Sequence, residues 1–173
     1  MRTILFLVPV FTASALAQAP TANNLPAATK AMFMLVRNNL VKSAEKMPEE
    51  NYSFRPTPDV RTYGQIVGHV ADAQYLFCSA ALGEKNPEPG IEKSKTSKSD
   101  LIQALNDAFA YCDKAYNGMT AASAVEEVKF FGQNRPRLSL LDFNSAHNFE
   151  HYGNIVTYLR IKGIVPPSSE PRK

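Results

Sequence analysis

The chain has few of the residues and runs that usually announce a function. Its 173 residues hold only three histidines and two cysteines. Cys78 and Cys112 form no C-x-x-C pair, which excludes a redox motif or a zinc ribbon. Charge is nearly balanced, with 19 Lys and Arg against 16 Asp and Glu. No basic run is interleaved with aromatics, so nothing points to nucleic acid or to an anionic membrane surface. No apolar run reaches the roughly 20 residues that a membrane span requires. Strand-like alternation is nearly absent, and there is no internal repeat or low-complexity tract.

The N-terminus has its own logic. Arg2 gives a short positive start, and residues 4–13 are apolar except for Pro9 and Thr12. Ala15 and Ala17 then place small residues at the two positions a signal peptidase reads. This pattern predicts a signal peptide over residues 1–17, cut before Gln18, and an exported protein, periplasmic or secreted. The residue directly after the cut is Gln18 rather than Cys, so a lipid anchor is not expected. Residues 18–173 then form one domain. Both cysteines would enter an oxidising compartment.

The remaining chain reads as four helices separated by Pro, Gly and Ser. The first spans about residues 27–47, with Phe33, Val36, Leu40, Ala44 and Met47 on one face, and Pro48 stops it. The second begins at Thr62, whose Thr-x-x-Gln65 spacing is a capping box. Its seam is Ile66, Val70, Ala73, Phe77 and Ala80, and Gly83 ends it. The third spans about residues 98–117, with Leu101, Leu105, Ala108, Cys112 and Ala115 as its seam. The fourth starts near Ser139, with Asp142 completing a weaker cap, and runs to about Lys162. Its apolar face is expected to carry Leu140, Phe143, Ile155, Tyr158 and Ile161. A short strand within residues 125–131 is the one β signal. Four such helices have one economical solution, an all-α four-helix bundle. If the second and third helices run parallel, Cys78 and Cys112 sit at one height. Either a disulfide or two buried thiols would then fit.

The histidines carry the chemistry. His147 and His151 are four residues apart on the fourth helix, within about 40° of each other on its apolar face. Two stacked imidazoles each need a donor and an acceptor, and burying them unpaired costs several kcal/mol. A divalent cation satisfies both. His69, on the flank of the second helix, supplies a third ligand if that helix lies beside the fourth. Three neutral nitrogens leave a coordination position open, as in catalytic zinc sites, where bound water can have its pKa lowered to about 7. Zinc and nickel both suit imidazole. Glu150 completes the string H-x-x-E-H and is the candidate general base. The peptidase signature it imitates needs a downstream carboxylate ligand, and only Glu170 follows, in a Pro-rich tail. Asp72 and Asn154, each one turn from a histidine, are candidates to orient a ring.

These pieces together resemble the DinB/YfiT-like superfamily of metalloenzymes. The matching segments are residues 47–58, Arg61-Thr62-Tyr63-Gly64 leading to His69, and residues 147–167. The resemblance implies a bundle with a long crossover between the second and third helices. Thirteen crossover residues, 84–96, reach at most about 43 Å, against about 33 Å for a 22-residue helix. It also implies a metal triad of His69, His147 and His151, and a homodimer. Some relatives act with small thiols, as isomerases or transferases. An exported chain would meet few of the thiols found in the cytosol. The expected function is a metal-dependent hydrolase or group transferase acting on a small molecule. The alternatives are a non-catalytic, stress-related metal binder and a protein-interaction module.

Overall fold

The computed structural model describes residues 25–171, so the signal-peptide segment lies outside the described residues. Four long helices make the frame: α1 (Leu25–Lys46), α2 (Tyr63–Leu82), α4 (Lys98–Gly118) and α6 (Arg137–Ile161). One-turn helices α3 (Ile91–Ser94) and α5 (Ala121–Ala124) lie in the connections. A hairpin of β1 (Glu127–Phe130) and β2 (Gln133–Pro136) precedes α6. Among the described residues the fold is all-α apart from that hairpin, and no described helix is long and apolar enough to cross a membrane.

Cross-helix contacts fix the direction of each helix. Gly64 meets Leu101, Tyr75 meets Tyr111 and Cys78 meets Cys112, so α2 and α4 run parallel. Tyr63 lies near Tyr158, and Phe77 near Phe143, so α2 and α6 run antiparallel. Arg37 pairs with Asp113 while Lys98 reaches the Glu45 carbonyl, so α1 and α4 are antiparallel. Thr29 meets Asp142 and Lys46 meets the Val165 carbonyl beyond the end of α6, so α1 and α6 are parallel. The order is up-down-down-up, and the α2–α4 link must travel the full height of the bundle.

Local chemistry sets the boundaries. Thr62 and Gln65 form the reciprocal capping box, and Gly83 at φ 75° closes α2 in the left-handed region. Ser97 caps α4 by accepting from the Asp100 amide. Ser139 does not cap the last helix. That helix begins two residues earlier, at Arg137, because the hairpin delivers the chain there and the Arg137 amide donates to the Glu126 carbonyl. The expected strand is β1, and the expected seams of α1 and α4 are all buried.

The last helix keeps Leu140, Ile155 and Tyr158 of its expected face inside but turns the other two members outward. Phe143 and Ile161 are 57% and 54% exposed. The buried line instead runs through Leu141, Asn144, Asn148, His151, Ile155 and Leu159. Two of its central positions are amides, which an apolar count passes over. Gln74 of α2 explains them. Its Nε2 donates to Asn148 Oδ1 at 2.7 Å, and its Oε1 accepts from Asn144 Nδ2 at 3.0 Å. Tyr116 Oη accepts a further bond from Asn144 Nδ2 at 3.1 Å. A polar spine thus runs inside the bundle, bonded from α2, α4 and α6.

Candidate metal centre

The antiparallel pairing of α2 and α6 brings the three histidines together. Nε2 of His147 lies 3.2 Å from Nε2 of His69 and 3.1 Å from Nε2 of His151. One nitrogen from each ring lies within 4.8 Å of the other two. His151 is 6% exposed, and the other two rings are half-buried.

Hydrogen bonding alone cannot satisfy this cluster. The Glu92 carboxylate accepts from His69 Nδ1 at 3.0 Å, which leaves the lone pair on His69 Nε2. His147 Nε2 has two nitrogen neighbours but only one in-plane site. It can serve one neighbour and must face the other unpaired. Protonating the rings instead would set like charges about 3 Å apart. Burial pushes His147 down to about 3, helped by the charges of His151, His69 and Arg61. Burial likewise pushes His151 down to about 4, helped by His69 and Arg61 and opposed by Glu150 and Glu92. Both rings are therefore neutral at pH 7, the form that binds metal. Bonds of 2.0–2.1 Å around a tetrahedral ion hold ligand nitrogens roughly 3.3 Å apart. His147 Nε2 stands at about that span from both of its partners.

The supporting residues are only partly those expected. Asn154 Nδ2 lies 3.4 Å from His151 Nδ1, a long contact. Asp72 touches no ring. Its two carboxylate oxygens accept from the Ile91 and Glu92 amides, capping the one-turn α3. Glu150 is exposed and makes no hydrogen bond to a ring among the described residues; its charge reaches His151 through space. His147 Nδ1 is buried without a partner.

Glu92 is the residue that sequence reasoning missed. Oε2 bonds His69 and Oε1 accepts from Arg61 Nε at 2.9 Å. Burial alone would raise its carboxyl. The bonds and charges of Arg61 and His69 outweigh this and hold it below the ordinary carboxylate value. It lies in the α2–α4 link, where no periodicity marked it. Its one sequence signal is the glycine at position 90 followed by a helical turn.

Two recesses flank the histidines. One, of about 740 Å³, reaches His151 and Glu92 and is walled by Arg61, Ile66, Asn154 and Tyr158. The other, of about 420 Å³, reaches His69 and His147 beside Leu76 and Phe77. Cys78 and Cys112 are joined in a disulfide, with Cα atoms 5.3 Å apart, and contribute no ligand.

Comparison with known proteins places this geometry. A family model for the DinB superfamily matches residues 32–155, most of the chain. The chain belongs to the DinB superfamily. The uncharacterized protein YjoA of Bacillus subtilis (strain 168) is 26% identical over 137 residues, covering 76% of this chain and 86% of YjoA. The crystal structure of YjoA, a DinB-like protein, superposes with a TM-score of 0.69 at 21% identity, covering 84% of this chain and 99% of that one. A DinB-like protein from Bacillus cereus ATCC 10987 gives 0.70 at 16% identity, over 82% and 95% of the two chains. A variant of the mycothiol-dependent maleylpyruvate isomerase gives 0.63 at 15% identity, over 75% of this chain and 60% of the other. The DinB bundle is thus the shared frame, and three histidines able to hold a metal ion lie inside it.

Proposed function

We propose that this DinB-superfamily chain is an exported metalloenzyme, a hydrolase or group transferase acting on a small molecule at one zinc or nickel ion. The observation that carries the reading is the meeting of three imidazole Nε2 atoms that no hydrogen-bond scheme can satisfy. His69, His147 and His151 would hold the ion. A divalent ion there supplies a Lewis-acid centre with a coordination position left for substrate.

The chain's own residues provide the rest. Glu92 holds His69 in the tautomer that presents Nε2. Burial keeps His147 and His151 neutral and ready to ligate. The 740 Å³ recess gives a small molecule access to the His151 side. Glu150, exposed and adjacent in sequence to His151, would be the base. The Cys78–Cys112 disulfide supports export, because such bonds persist in oxidising compartments.

Elemental analysis of protein recovered from the exported fraction tests the reading. Wild type should carry one zinc or nickel per chain, and His147→Ala should lose it while keeping its helical circular dichroism. Absence of metal from both, or equal metal in both, would overturn the assignment.

A further inference from the structure

The recess beside His151 has a charge pattern that constrains its occupant. Three neutral histidines leave the double charge of a bound ion uncompensated. The nearby carboxylate, Glu92, has both oxygens engaged, one on His69 and one on Arg61. Arg61 is held at two points. Tyr158 Oη donates to its backbone carbonyl at 2.6 Å, and its Nε donates to Glu92. Its Nη groups bond no other described side chain, so that edge of the guanidinium is available to a ligand. Ile66 and the Tyr158 ring supply an apolar wall to the same recess. Exposed Asp59 stands at its rim, which disfavours an occupant of high negative charge.

We propose that this recess binds a small organic acid with two anionic groups, a carboxylate on Arg61 and a second donor on the ion held by the histidines. The proposal rests on the metal reading above and deepens it by naming the substrate class. A planar guanidinium, anchored at Nε by Glu92, favours carboxylate over a point anion, because two parallel N–H donors match two oxygens. The ion takes the other anionic group. The apolar wall between them suits a carbon chain. Arg61 and His69 share the Glu92 carboxylate, and Arg61 and His151 line the same recess, which sets the guanidinium beside the histidine cluster. A cavity of about 740 Å³ leaves room for a body larger than the two acid groups. Simple diacids therefore serve as probes rather than as the natural ligand.

Cobalt-substituted whole protein allows a direct test, since visible absorption reports what enters the coordination sphere. Titrations would use azide, acetate, the diacids from malonate to adipate and their monomethyl esters, on wild type, Arg61→Gln and Arg61→Lys. Azide should still perturb the spectrum in all three, showing an intact, open site, and each diacid is read relative to azide in the same variant. One diacid length should bind wild type at least about tenfold tighter than acetate or its own ester, the range for a charge-assisted bond. Arg61→Gln should abolish that advantage, and Arg61→Lys should restore part of it. A diacid no better than acetate, or an advantage surviving in Arg61→Gln, overturns the proposal while the metal site stands. Failure to take up cobalt would sink the metal reading itself.

Discussion

Glu92 does at the residue scale what the expected candidates do not. Its carboxylate ties an imidazole of α2 to a guanidinium from the preceding loop. Such carboxylate–histidine contacts fix the tautomer and raise the basicity of a metal ligand. Glu92→Gln should weaken metal affinity about 10- to 100-fold, with little change in the melting temperature of chelator-treated protein. Competition with a chromophoric chelator checks it, and unchanged affinity would reduce Glu92 to a surface ion pair. The histidines were legible in the sequence because they are so few and two share a helical spacing. Glu92 was not, because one acid among 16 acidic residues has no distinguishing pattern in an irregular link. Asp72 looked like a ring partner from spacing alone, yet the nearby free amides of α3 take both its oxygens.

The element that positions Glu92 is the short helix α3. It lies flat against α2 because Gly68 has no side chain: a Cβ there would fall 2.7 Å from the Glu92 Cα. Backbone cannot yield as a flexible side chain can. Gly68→Ala should therefore lift α3, cost about 1–3 kcal/mol of stability, and weaken metal binding along with it. Chelator competition and thermal unfolding should report the two losses together. Wild-type affinity and stability in this variant would contradict the close packing. The four long helices were legible because apolar steps run between breaks, with true caps at Thr62 and Ser97, a glycine stop at Gly83 and a proline stop after the first helix. The inward face of α6 was not. Its centre is held by Asn144 and Asn148, bonded to Gln74, and hydropathy sees such positions as surface. Phe143 was expected inside, but it leans on Phe77 at the margin, with ring centroids 5.2 Å apart and planes tilted by 48°.

At the scale of the whole molecule, the up-down-down-up order makes α2 the shared member of two cross-links. The disulfide binds it to α4, and the histidines bind it to α6. The parallel run of α2 and α4 set both cysteines at one height, which sequence position alone could suggest but not decide. The disulfide closes a separation of 34 residues, and a loop of that length implies about 3–4 kcal/mol of stabilisation from the restricted unfolded chain. Reduction, or Cys112→Ala, should lower the denaturant midpoint by a corresponding amount. It should leave the metal content unchanged, because neither sulfur is among the candidate ligands. An unchanged midpoint would show that packing of the buried Gln74 spine alone secures that end of the bundle.

The two cross-links are also nested. His69 and His147 are 78 positions apart, and the bridge between Cys78 and Cys112 falls wholly between them. Oxidation would therefore shorten the chain that an ion captured during folding has to organise. The entropic saving is small, about 0.5 kcal/mol by loop-length scaling, but its direction is fixed. By linkage the saving runs both ways: a bridged chain would hold an ion about twofold more tightly and an ion would favour the bridge to the same degree, too little to alter the metal content of a saturated protein.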